Sequence, residues 1–148
     1  MRIVFVTSRF PYPVEKGDKL RAFHQIRMLS LHHEIHLVAI SHRKIAPEHM
    51  EAMAPYCKTI KVFLIRNWLM PFQLGIGWLE GLPLQVSYFL DRTIKRKVQY
   101  YIIQLEPDHI ICQLIRASTY VRALPFPKTL DYMDVFSEGM FQLAKKYD

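Results

Sequence analysis

A chain of 148 residues with 51% apolar and 22% charged side chains carries enough apolar surface for one buried core, which excludes a disordered chain. Its formal net charge of +7 favours an anionic partner. The basic residues are scattered, with short clusters at Lys95-Arg96-Lys97 and Lys145-Lys146, whereas a nucleic-acid binder concentrates them on one stripe; nucleic acid is therefore not expected as a partner.

Residues 2–7 form an unbroken β-branched and aromatic run, the pattern of a central parallel strand covered on both faces. The run stops at Thr7-Ser8-Arg9, too soon for a signal-peptide core. Residues 18–31 then place Leu20, Ala22, Phe23, Ile26 and Leu29 at helical spacing, with Asp18 available as the cap. A second strand is expected over 35–40, a short helix opening at Pro47 over 47–56, and a third strand over 59–65. Pro71, Gly75 and Gly77 interrupt the next apolar stretch, predicting short broken helices over 67–83.

From Asp91, a second available cap, Ile94, Val98, Ile102 and Leu105 recur at helical spacing, while Lys95, Arg96, Lys97 and Gln99 fill the opposite face. Pro107-Asp108 ends that helix and leads to a fourth strand over 109–114, a short helix over 116–123 and a fifth strand over 128–132. Alternation of strands and helices with short connections predicts an α/β fold, a Rossmann-like doubly wound parallel sheet with helices on both faces. A last amphipathic helix over 137–147 has no stop signal, so the sequence is expected to be cut from a longer chain.

Ligands of open parallel sheets bind beyond the carboxyl ends of the strands, which directs attention to the loops after residues 7, 41, 114 and 132. The first lacks the G-x-G-x-x-G of a dinucleotide site and reads instead Thr7-Ser-Arg-Phe-Pro-Tyr-Pro-Val-Glu-Lys-Gly17. Gly17 at a helix start admits close approach of an anionic oxygen to the backbone and the helix dipole; equally, it serves only a turn, and Asp18 only a cap. Both readings stand at this level.

The segment 1–24, with its Arg-Phe-Pro-Tyr-Pro loop, Lys-Gly-Asp turn and helix carrying Arg21 and His24, resembles the N-terminal domain of retaining glycosyltransferases of family 4, especially the exopolysaccharide-building branch. Residues 35–41 and 130–138 share the resemblance. It implies the first, acceptor-side half (residues 1–148) of a two-domain GT-B enzyme, with the nucleotide-sugar-binding half lying outside this chain. It also implies transfer from a nucleotide-diphosphate sugar to a saccharide or lipid-linked acceptor in cell-surface polysaccharide synthesis, without metal or other cofactor. The departing diphosphate would be held by backbone amides, helix ends and basic side chains.

The site residues this implies are Arg9, Lys16, Gly17, Asp18, Lys19, Arg21, Arg116, Asp131 and Asp134, binding acceptor or sugar phosphate. Lys16 stands where the family often has a paired glycine. Gln113, Leu114, Ile115 and Arg116 occupy the loop where related enzymes often carry a histidine, so no catalytic residue is named. Read from residue type alone, Arg116 is expected to be solvated at a helix start, and Asp134 serves equally as a cap.

His32, His33 and His36 need not converge, and no metal is expected. Cys57 and Cys112 match no metal or redox spacing and read as small buried groups in a reducing, cytoplasmic compartment. Residues 68–79 fall short of the roughly 20 apolar residues of a membrane span. Trp68, Phe72 and Trp78, with Leu69, Met70, Ile76, Leu79 and Arg66, suit docking on the inner face of a membrane, or else packing on the sheet. The alternative to the enzyme is a non-catalytic, membrane-associated binding module of the same fold. An unrelated nucleotide-dependent Rossmann enzyme is disfavoured by the missing glycine loop.

Overall fold

The computed structural model describes residues 1–65 and 90–132. Within them, five strands alternate with helices: β1 (Arg2–Thr7), α1 (Gly17–Leu29), β2 (Glu34–Ser41), α2 (Pro47–Met53), a 3-10 turn (Ala54–Tyr56) and β3 (Thr59–Leu64), followed by α3 (Arg92–Leu105), β4 (His109–Gln113), α4 (Ile115–Val121) and β5 (Lys128–Asp131). The broken helices expected over 67–83, the helix over 137–147, Asp134 and the tryptophan cluster lie outside the described residues.

All five strands are parallel, in the order β3-β2-β1-β4-β5. This is the doubly wound α/β sheet that the alternating pattern predicts. Side chains of successive strand residues point to opposite faces, so β1 divides its apolar run between two cores. Ile3 and Phe5 pack with Ala22 and Ile26 of α1 and Met53 of α2, while Val4 and Val6 pack with Val98 and Ile102 of α3 and Ala117 and Tyr120 of α4. Val4, Phe5 and Val6 are completely buried, each worth about 1.5–3 kcal/mol by area alone. Among the described residues no helix is long and apolar enough to cross a membrane.

The caps are placed differently from one another. Asp91 caps α3 as expected, its Oδ1 accepting from the amides of Thr93 and Ile94 at 2.9 and 3.0 Å, a contribution of about 1 kcal/mol. Its own amide donates to the Tyr120 hydroxyl at 3.1 Å, tying the start of α3 to α4. Asp18 does not cap α1. The helix begins one residue earlier, at Gly17, with Lys16 in the cap position and no side-chain cap bond. The carboxylate of Asp18 is drawn elsewhere, by two arginines distant in sequence.

Several boundaries move by one or two residues. The expected helix over 47–56 divides into α2 and the 3-10 turn, because Pro55 supplies no amide to continue the α-helical ladder. α1 ends at Leu29 rather than 31. α4 starts at Ile115 and ends at Val121.

Candidate functional site

In this strand order the chain turns to opposite faces of the sheet after β1 and after β4, so a crevice opens between their carboxyl ends. A cleft of about 740 Å³ lies at this edge. The loop after β1 lines it with Ser8, Arg9, Tyr12 and Lys16, α1 adds Lys19, and the loop after β2 adds His42, Arg43 and Lys44. His49 of α2 and Arg116 of α4 complete the wall. Among the described residues lining it, six are Arg or Lys and one, Glu15, is acidic, so this wall presents a positive potential to solvent.

The β1 loop is held in place by its aromatic residues. Phe10 is buried in the α1-side core, and the Tyr12 ring lies 6.3 Å from Phe23 of α1 and 5.5 Å from His49 of α2. This anchoring leaves Arg9 between two buried neighbours, half-exposed, with Nη1 3.1 Å from Asp18 Oδ2.

Arg116 approaches the same Oδ2 atom, at 3.6 Å, from across the crevice. Its side chain is only 19% exposed, contrary to the expectation of a solvated residue. Burial, and then the neighbouring Arg9, push its pKa down, while Asp18 pulls it up. Among the described residues, the Asp18 carboxylate therefore faces both guanidiniums.

The turn from Lys16 to Arg21 sits over the carboxyl ends of β4 and β5. Gln113, the last residue of β4, donates from Nε2 to the Asp18 carbonyl at 2.7 Å. Arg21 donates to both oxygens of Asp131 at 2.9 Å, and Gln25 adds a third donor to Asp131 Oδ2. Arg21 and Asp131 thus meet each other, joining α1 to the end of β5, rather than the cleft wall. Arg9, Lys16, Lys19 and Arg116 converge on the cleft, and Asp18 sits behind them.

Gly17 is exposed, its φ is outside the left-handed region, and a Cβ placed on it meets nothing within 4 Å. The turn therefore has no need of glycine. Its bare backbone at the start of α1 leaves room for close approach by a ligand.

Two further features mark the crevice. Thr7 Oγ1 and Ser8 Oγ, at the end of β1, are buried without a hydrogen-bond partner among the described residues, which costs about 1–3 kcal/mol per group. Leu114, between β4 and α4, has φ 68° and ψ 144°, a conformation that side chains with a Cβ avoid and that costs on the order of 1–3 kcal/mol. Unsatisfied hydroxyls and a strained backbone on both sides of one crevice are features that accumulate where function, not stability, sets the structure.

Sequence reasoning passed over Ser8, His42, Arg43, Lys44 and His49. A usable signal was present, since Ser41-His42-Arg43-Lys44 is a polar and basic run directly after a strand whose carboxyl end faces the ligand edge. His36 is buried inside β2, bonded to Thr59 Oγ1 at 2.8 Å and to Glu34 Oε1 at 2.9 Å. The hydrogen bond from His36 holds the Glu34 carboxyl below its usual range, with Arg2 assisting. Comparison with protein-family models and with curated proteins returns no match.

Proposed function

We propose that this chain is the acceptor-side half of a GT-B glycosyltransferase, similar to family 4 of the retaining enzymes, and that its cationic cleft forms one wall of the site for a nucleotide-diphosphate sugar and its acceptor. The observation that carries this reading is the cleft at the carboxyl ends of the strands, which Arg9, Lys16, Lys19 and Arg116 line together.

The physical chemistry of sugar transfer asks for such a wall. Breaking the bond between the anomeric carbon and the diphosphate oxygen develops negative charge on the departing group. Preorganised cations and amide dipoles stabilise that charge without reorganising at the moment of reaction. Lys16 and Lys19 supply mobile ammonium groups, and Arg9 and Arg116 supply guanidiniums already fixed by Asp18. The acceptor, a saccharide with or without a lipid-linked diphosphate, would enter over the loops after β1 and β2. Transfer requires the second, facing domain of this architecture, so the chain by itself should not turn over sugar nucleotides.

The test uses the longer protein that this reading requires. Its coding sequence should run past Asp148 into a second Rossmann-like domain. Lys16→Gln combined with Lys19→Gln should lower kcat/KM for transfer at least about tenfold without changing the thermal midpoint, as expected for lost charge stabilisation at the leaving group. Unchanged transfer, or turnover by this chain alone, overturns the proposal.

A further inference from the structure

At the amino ends of β1, β2 and β3, the strand register sets Arg2 beside Glu34 and His36 beside Thr59, all on the sheet face that α3 covers. Their side chains close a ring of hydrogen bonds. The Tyr101 hydroxyl of α3 lies 3.1 Å from Thr59 Oγ1, which lies 2.8 Å from His36 Nδ1. On the other side of the imidazole, Nε2 stands 2.9 Å from Glu34 Oε1, to which Arg2 Nε donates at 3.4 Å. Arg2 Nη1 also donates to the Leu105 carbonyl at 2.7 Å, which returns the ring to α3 one turn beyond Tyr101.

The two partners of the imidazole differ in kind. An ionised carboxylate only accepts, so Nε2 carries a proton in either charge state of the ring. The hydrogen bond from His36, with a weaker one from Arg2, holds the Glu34 carboxyl below its usual range and so keeps it ionised. A hydroxyl both donates and accepts, so Nδ1 keeps its bond to Thr59 whether or not it is protonated. With a neutral imidazole, Tyr101 donates to Thr59 and Thr59 donates to Nδ1. With an imidazolium the direction reverses, Nδ1 donating to Thr59 and Thr59 to Tyr101. The His36 side chain is only 5% exposed, whereas Tyr101 is half-buried and Glu34 is 45% exposed. The charged groups around the ring are Glu34 on β2, Arg2 on β1, Lys61 on β3, with Nζ 5.9 Å from the Tyr101 ring centroid, and Asp108, which accepts from the Arg2 amide at 2.6 Å.

We infer that Tyr101 and Thr59 form a proton relay that serves the buried His36 and reports its charge to α3. One proton enters from water at the Tyr101 oxygen, the former Tyr101 proton passes to Thr59, and the former Thr59 proton passes to Nδ1. Each hydroxyl ends with one hydrogen, and the imidazole gains one. Imidazole is the side chain whose ordinary titration falls between pH 5 and 8, so the relay is a pH-sensitive device at the end of the sheet opposite the cleft. It stands independently of the glycosyl-transfer reading.

NMR of this chain, with isotope labels on the histidine ring nitrogens and on tyrosine Cζ, tests the inference through a titration between pH 8 and 5. Neutral His36 should carry its proton on Nε2. As the ring takes up a second proton, the Tyr101 Cζ resonance should move with the midpoint read at His36, while that of Tyr100, exposed and outside the ring, should not follow it. Thr59→Val removes the hydroxyl but keeps the β-branched shape that suits a strand, and it should abolish the Tyr101 response. Thr59→Ser keeps the hydroxyl and should keep the response. A neutral His36 protonated on Nδ1, a His36 that gains no proton over this range, or a Tyr101 resonance that ignores the His36 midpoint overturns the inference in the parent protein alone. A response unchanged in Thr59→Val, or lost in a folded Thr59→Ser, overturns the part given to Thr59.

Discussion

Replacing Asp18 by asparagine separates the two roles of the cleft. Asp18 Oδ2 lies 3.1 Å from Arg9 Nη1 and 3.6 Å from Arg116 Nη2, and the carboxylate is 14% exposed. At such distances and an effective dielectric constant of about 20, each pair contributes roughly 4 kcal/mol of attraction before desolvation and the repulsion between the guanidiniums are subtracted. Arg9 is 40% exposed, so solvent screens its share strongly. The net loss on removing the charge is therefore about 2 kcal/mol, including the smaller benefit of an acidic residue in the first turn of α1. Urea unfolding at low ionic strength should show this loss as a lower midpoint with an unchanged slope. The same substitution removes the carboxylate that competes with an incoming anion for both guanidiniums. Pyrophosphate affinity at residues 8–19 should consequently rise, by about tenfold if one charge-assisted contact is gained. Lower stability with tighter binding is the signature. If stability and affinity fall together, or stability changes by less than about 0.5 kcal/mol, the electrostatic account of the cleft is wrong.

Gly17→Ala should raise stability by about 0.5–1 kcal/mol, since the added Cβ meets no neighbour and the unfolded chain loses freedom, yet it should weaken pyrophosphate binding at the cleft; chemical denaturation and NMR titration of the same sample read both. Burial pushes the thiols of Cys57 and Cys112 up to about 12, so native protein should react slowly with a disulfide reagent at pH 8 and rapidly once unfolded. The raised folded values also fix the sign of the alkaline response: stability is fully present below the ordinary thiol value of 9.0 and is lost as pH rises from there toward about 12, where the unfolded chain ionises first. Urea midpoints that stay flat from pH 9 to 11 would contradict that sign.

The order of elements was legible in the sequence because each strand is a short, doubly buried apolar run and α3 has a clean helical period, both of which are local properties of the chain. The Asp91 cap was legible for the same reason, its acceptor and donors lying within three residues. What Asp18 does was not legible. Cap preference is a local rule, and it loses here to Arg9 and Arg116, which the crossover topology brings from 9 residues back and from the far side of the β4 crevice. Arg21 and Asp131 are likewise 110 residues apart and meet only because β5 is laid beside β4.

Composition alone thus determined that the chain buries apolar side chains and carries an excess of positive charge, and the periodicities determined an α/β chain with parallel strands. Only the tertiary structure decided where that charge collects. Sequence spacing governs neighbours along a helix or strand, whereas the basic cleft is built from segments whose separation in the chain bears no relation to their distance in space. The sheet order brings Arg9 and Arg116 to one carboxylate, that of Asp18.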